Sequence, residues 1–221
     1  MATDRARCRL GGPALLPPGE DWPHDAENRP LTFLAGIDLT ELPERGSLPG
    51  GGWLLFFGSL DDGETAGVLD EAVNEPGGNA RVFALPPGAE PVPATRRDAL
   101  SCVLSDRPVA FEARLTLPDG YDAAAELGLD AAEGEAYIAV ADWMREGGAG
   151  SSYEPDHWVL GAVTGAQGHT PEANTVLLLH LDWDEALGFA FLDGGDLQFR
   201  IPTDALAAGD WTAARALAES G

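Results

Sequence analysis

Two stretches of this chain repeat one order of features. An apolar run from Leu31 to Leu39 contains Asp38 near its end, and a turn-rich linker leads from it to Gly51-Gly52 and a second apolar run from Trp53 to Phe57. Later, Val176–Leu181 is followed by Asp182, a linker containing Gly188, the pair Gly194-Gly195 and a run from Asp196 to Ile201. Asp182 stands 144 residues after Asp38 and Gly194 stands 143 after Gly51, so one single-residue gap aligns the two copies. An apolar run with little alternation is a strand buried on both faces, and glycine supplies the positive φ of a turn. The expectation is an α+β, β-rich fold of pseudo-duplicated strand-turn-strand units with a few short helices. Repeat 1 covers about 31–60 and repeat 2 about 176–206. At roughly 100 to 200 residues per domain, the 221 residues read as a single domain over 1–221.

The region between the copies, about 80–156, supplies connecting strands and an acidic helical part. Arg81–Leu85 and Val109–Leu117 read as strands, each stopped by a proline, with a stiff Pro86–Pro93 connection between them. Asp119 and Asp122 cap a short turn over Tyr121–Leu127, and after Gly134 the residues Tyr137, Val140, Ala141 and Met144 fall at helical spacing, with a stop at Gly147–Ser152. From Asp119 to Asp156 ten acids face Arg145 alone. A further helix is expected near Thr203 or Asp204. A last one starts near Asp210, packing Trp211 and Leu217 on the core.

Thirty-seven acids against thirteen bases give a net charge of -24, and every base is arginine. Without lysine there is no Schiff base, no lysine general base and no phosphate-binding P-loop. The same charge repels nucleic-acid phosphates and anionic lipid, so neither is an expected partner; a basic protein is the charge-compatible one. The competing account is compositional: alanine, glycine and arginine without lysine suit GC-rich coding, and an acidic surface aids solubility. No apolar run approaches the roughly 18 residues of a membrane span. Cys8 and Cys102 allow one disulfide at most and no zinc site by themselves. Gly11-Gly12-Pro13 interrupts the start before a signal-peptide core, so a cytoplasmic, reduced protein is expected.

The chain then carries Leu10-Gly11-Gly12-Pro13, Leu16-Pro17, Trp22-Pro23 and Pro30–Leu39, and in its second half His157-Trp158, Leu160-Gly161, Gln167, Leu177–Asp184, Asp193–Leu197 and Ile201–Leu206. In this order, from about Leu10 to Trp211, the chain resembles the YwqG-like family of bacterial domains of unknown function. The resemblance implies the fold and no activity. Family members often carry glutamine at the positions of Gly36 and His180, and a Trp-Gly-Asp element where this chain has Phe191–Gly195.

Several constellations invite chemistry. Asp182–Glu185 opens like a calcium loop, but Ala186 and Leu187 hold the fifth and sixth positions, and the sixth requires glycine. His180 and Asp182 share a strand face and would need His157 or His169 to complete a metal site; otherwise Asp182 caps a turn and His180 packs in the core. Neither a metal nor a cofactor is expected. Ser101, Ser105, Asp38, Asp182, His157 and His180 offer nucleophiles, acids and bases, yet no Gly-x-Ser-x-Gly elbow or His-Glu-x-x-His pattern occurs. Asp38 and Asp182 form the sharpest acid/base pair, against the alternative that each satisfies backbone donors at its own turn. Gly50–Gly52 precedes a strand rather than a helix and makes no phosphate cradle. An internal two-fold leaves a cleft between its halves, and the expected lining is Trp22, His157, Gln167, His180 and Asp193. The leading expectation is a non-enzymatic interaction module that binds a basic protein through an acidic face or this cleft, in an accessory or immunity-like role. The alternative is a small-molecule- or metal-binding hydrolytic enzyme using Asp38, Asp182, His157 and His180. Oligomeric state is not legible in the sequence.

Overall fold

A computed structural model describes residues 7–60, 80–95, 104–118, 127–145, 155–162, 174–189 and 194–219. Ser101, Cys102, Gln167, His169, Asp193, the Gly147–Ser152 stop and most of the turn expected over Tyr121–Leu127 lie outside the described residues. The protein is β-rich, with ten strands in antiparallel sheets and two α-helices among the described residues.

The first half builds a five-stranded sheet. Its centre is β3 (Thr32–Asp38) and β4 (Trp53–Gly58), the two runs of repeat 1, with β5 (Ala80–Leu85) outside β4. On the other side of β3 lie β1 (Arg9–Leu10) and, at the edge, β7 (Arg107–Pro108). Two short strands, β2 (Leu15–Leu16) and β6 (Val92–Pro93), pair with each other. The second half builds a three-stranded sheet from β8 (Thr175–Leu181), β9 (Asp196–Pro202) and β10 (Arg215–Glu219), in the order β10-β9-β8.

The registers of the two sheets coincide residue by residue. In the first, Phe33 pairs with Phe57, Leu34 is skipped at a bulge, and Ala35, Gly36 and Ile37 pair with Phe56, Leu55 and Leu54. In the second, Leu177 pairs with Arg200, Leu178 is skipped, and Leu179, His180 and Leu181 pair with Phe199, Gln198 and Leu197. The duplication therefore preserves even the β-bulge, a feature that bends the strand and re-aims side chains. It also reaches beyond the two strands read from sequence. β5 and β10 occupy equivalent places, Val82 opposite Phe56 and Ala216 opposite Phe199. Arg9 pairs with Gly36 as Trp158 bridges His180, so Cys8–Gly12 and His157–Gly161 are equivalent too. Gly11 and Gly12 have φ of 59° and 73°; Leu160 and Gly161 have 64° and 82°.

Alternation sorts side chains to two faces. Leu54 and Phe56 of β4 join Leu197, Phe199 and Ile201 of β9 in one shared core. The equivalent rings Phe56 and Phe199 meet edge to face, their centroids 5.1 Å apart. Burying a side chain of this size stabilises by about 1.5–3 kcal/mol, so the seam between the copies is a main source of stability. Trp53, Leu55 and Phe57 point the other way, into a second core with Phe33, Leu31 and Leu85.

Three expectations need correction. Val109–Leu117 carries no strand beyond Arg107–Pro108, because among the described residues its backbone from Ala110 to Leu117 has no ladder partner. The helix expected after Gly134 is α1 (Ala131–Arg145), which starts earlier because Asp130 and Glu133 form a capping box: Asp130 Oδ1 accepts the N–H groups of Ala132 and Glu133, and Glu133 accepts that of Asp130. Near Asp210 only a 3-10 turn forms over Trp211–Ala213, and Leu217 lies on β10; the helix expected near Thr203 is α2 (Thr203–Ala208).

Candidate functional site

A cleft of about 770 Å³ opens across the junction of the two halves. Leu10 and Val159, equivalent residues of the two copies, both line it, as do Ile37 of β3 and Leu179 of β8. The segment 109–117 forms one wall, Ala141 and Met144 of α1 another, and Pro155–Gly161 a third. Acidic side chains at the lining are Glu44, Glu112 and Asp156. Among the described residues the lining arginine is Arg114, which donates to Asp156 Oδ2 at 2.6 Å and to the Met144 carbonyl at 3.1 Å.

The lip of the cleft is shaped by close packing. A Cβ at Gly161 would lie 2.6 Å from Thr116 Oγ1, and Thr116 Oγ1 accepts the Ala162 N–H at 2.8 Å. Leu160 beside it holds φ at 64°, a left-handed conformation that costs a residue with a Cβ about 1–2 kcal/mol. It stands where the other copy has Gly11, so the strain follows from the duplicated backbone path.

His157 lines the cleft and is held at both ring nitrogens. Nδ1 accepts the Asp182 N–H at 3.1 Å, which places the proton on Nε2, 3.4 Å from Asp184 Oδ2. Burial pushes its pKa below the usual histidine range, with the neighbouring carboxylates of Asp184, Asp182 and Asp156 opposing. Neutral and doubly engaged, the ring has no lone pair free for a general base. Its counterpart in the other copy plays the same part, since Cys8 Sγ accepts the Asp38 N–H at 3.1 Å. Cys8 is a free, buried thiol whose pKa burial raises to about 12, so it is not a reactive thiolate.

Asp38 and Asp182 likewise serve their own turns. Asp38 Oδ1 accepts the N–H and hydroxyl of Thr40, and Oδ2 pairs with Arg7. Asp182 Oδ1 accepts the Trp183 N–H at 2.9 Å and Oδ2 that of Asp156 at 3.1 Å. Neither carboxylate is among the residues that line the cleft. Asp184, the second acid of the run Asp182–Glu185, closes the next turn by accepting from Ala186 and Leu187, and its Oδ2 takes Arg107 at 3.1 Å.

The other expected lining residues are distributed differently. His180 lies behind the cleft, covered by Trp158, a lining residue not among those expected, the rings stacked with centroids 3.5 Å apart and planes within 13°. Burial first, then His157 and the Arg200 guanidinium, push the His180 pKa down to about 3. Trp22 belongs to the second core, where Nε1 donates to the Leu31 carbonyl at 2.9 Å and the ring meets Phe57 edge-on. Among the described residues, no group of three or more histidines, cysteines and carboxylates is arranged to hold a metal ion.

Two features were not anticipated from the sequence. One is the cleft wall at 109–117, whose alternation suggested an ordinary strand. The other is a buried polar row on β9: Gln198 donates to Asp196 Oδ1 at 3.0 Å, and Arg200 donates to Gln198 Oε1 through Nε and Nη2 at 3.2 and 2.6 Å. Asp196, Gln198 and Arg200 are 4%, 0% and 3% exposed, although they occupy the places of Trp53, Leu55 and Phe57. Their alternation with Leu197, Phe199 and Ile201 was the available signal.

No helix among the described residues is long and apolar enough to cross a membrane. No curated protein matches the chain. A family model described as "Domain of unknown function (DUF1963)" matches residues 8–218, a span that takes in both copies, the cleft and the polar row, and the chain belongs to that family.

Proposed function

We propose that this is a YwqG-like, cytoplasmic, non-enzymatic interaction module whose cleft between the repeats holds part of a basic protein partner. The observation that carries the reading is the cleft itself: among the described residues, apolar surfaces contributed by both copies, Glu44, Glu112 and Asp156 at the lining, and a lining arginine, Arg114, tied to one of those acids. In a chain of net charge -24 such a surface steers and retains a cation-bearing partner. An accessory or immunity-like role, masking a basic protein, is one form of it. The finer family reading rests on the ordered motifs from Leu10 to Trp211. The cytoplasmic placement is supported by Cys8 being a buried free thiol.

The hydrolytic alternative has less support. His157 is engaged at both nitrogens, His180 is buried behind Trp158, and Asp38 and Asp182 are spent on their own turns.

The test is capture from host lysate on immobilised protein at low and moderate salt, with the Glu44→Arg, Glu112→Arg double variant in parallel. Both positions are exposed, so the variant should fold. A stoichiometric basic partner that is salt-sensitive and lost on the variant is expected. An empty bait at low salt, or a partner held equally by the variant, would overturn the reading.

A further inference from the structure

The segment between Pro108 and Pro118 has the sequence of a strand and follows directly on one, but among the described residues its backbone beyond Val109 has no ladder partner. It continues β7, the outermost strand of the five-stranded sheet, and Val109 still donates to the Cys8 carbonyl at 3.1 Å. From Ala110 to Leu117 the backbone makes no hydrogen bond to another described residue. Side-chain contacts hold it in place: Val109 and Phe111 pack on the shared core, Thr116 accepts from Ala162, and the Pro118 carbonyl accepts from Tyr137. Leu115, towards its end, is a large apolar side chain that is 71% exposed. Eight residues, when extended, span about 26 Å, enough to pair with a full strand.

We propose that this edge accepts an extended peptide as an added strand, and that the peptide alternates basic and apolar residues. Exposed backbone donors and acceptors at a sheet edge are the usual template for such addition, giving affinity through the main chain while pockets for alternate side chains give specificity. The cleft alongside supplies those pockets. Its apolar floor at Leu10, Ile37 and Leu179 takes one set of side chains, and Glu44, Glu112 and Asp156 select cations for the other. A second copy of this chain is the wrong occupant on charge, because each copy carries -24. The inference rests on the interaction reading above and names the chemistry and conformation of the partner segment.

The experiment uses the full chain and ten-residue peptides with blocked ends: alternating arginine and valine, the same composition with five arginines preceding five valines, alternating glutamate and valine, and the arginine-valine peptide N-methylated at every second residue. Binding is read by calorimetry and amide exchange. The alternating arginine-valine peptide is expected to bind and to slow exchange across 110–117 by roughly tenfold or more, with N-methylation or block order weakening it by at least about tenfold, the loss of one or two net hydrogen bonds. Equal binding of the N-methylated peptide, or protection elsewhere, would overturn strand addition while leaving a basic partner in place. Failure of every basic peptide, alongside a partner captured through Glu44 and Glu112, would overturn it in the same way. Protection of 110–117 in a dimer before peptide is added would make a second copy the occupant and overturn the proposal.

Discussion

The outer faces of the two copies carry opposite chemistry on one backbone. In repeat 1, Gly36, Trp53, Leu55, Phe57 and Leu85 line a face that is closed by Trp22, Phe33 and Leu31 into an apolar core. In repeat 2 the same places hold His180, Asp196, Gln198, Arg200 and Glu219, all buried. The inner faces stayed alike, with Phe56 against Phe199, because both must fill one shared core. Duplicated strands thus keep their register and common packing, while the faces that look away from the seam are free to diverge. In repeat 2 the divergence replaced ring packing by a hydrogen-bonded row in which Arg200 depends on Gln198 for its acceptor.

The comparison is broken most severely by mixing the two chemistries. Gln198→Leu leaves a buried guanidinium and the Asp196 carboxylate without that amide and should cost about 3–5 kcal/mol in denaturant unfolding, because breaking one partner of a buried charged network strands the rest. Replacing Asp196, Gln198 and Arg200 together by leucine should recover much of that loss, since well-packed apolar residues are often as stable as a buried ionic group. The converse change, Leu55→Gln, buries an unpaired amide in the apolar face and is expected to destabilise by about 2–4 kcal/mol. A triple variant less stable than Gln198→Leu would show that the row stabilises the fold beyond its internal contacts.

A smaller contrast lies in the glycines that precede β4 and β9. Gly52 has φ of 100°, and a Cβ there would come within 2.0 Å of the Leu85 carbonyl; Gly194 has φ of 74° and open space. Gly52→Ala combines overpacking with strain and should cost roughly 2–4 kcal/mol, against about 1 kcal/mol for Gly194→Ala. Thermal unfolding of the two variants side by side measures the difference, and equal costs would mean that close approach to the Leu85 carbonyl is not what Gly52 serves.

The finest test is pH. His180 titrates near 3 in the folded chain, below its ordinary 6.5, so between these values the unfolded state binds more protons. Its contribution to stability is present above pH 6.5 and is lost progressively as pH falls towards 3, with a slope of at most about 1.4 kcal/mol per pH unit. The equivalent residue, Gly36, has nothing to titrate. A His180→Gln variant should flatten the curve between about pH 6.5 and 4, and an unchanged slope would assign the acid sensitivity to other groups.

Much of the fold was legible because burial leaves marks on composition. The largely apolar, fully buried β3 and β4, the offset of Asp38 and Asp182 and the strand at Arg81–Leu85 all stood in the sequence. So did the capping role of the two aspartates, which a polar residue at the end of a buried strand has little choice but to fill. The link between Cys8 and His157 was not legible: a thiol and an imidazole share no sequence pattern, and it is their equivalent strand positions and common acceptor role towards an aspartate's N–H that join them. The cleft was expected between the halves; of its expected lining His157 is at the cleft, Trp22 went to the opposite core, and Trp158, which was not in that set, lines it instead. A tryptophan's size says that it is buried and not on which side of a sheet.

Periodicity and charge, properties of the chain taken a few residues at a time, therefore determined the β-rich duplicated architecture, the absence of lysine chemistry and the acidic character. Tertiary structure alone decided which face each alternating run presents to the seam, that Asp196, Gln198 and Arg200 are buried together, and that the backbone of 110–117 has no ladder partner among the described residues. The physical reason is that alternation specifies two faces but not their surroundings, and a strand becomes one only when another chain segment accepts its hydrogen bonds.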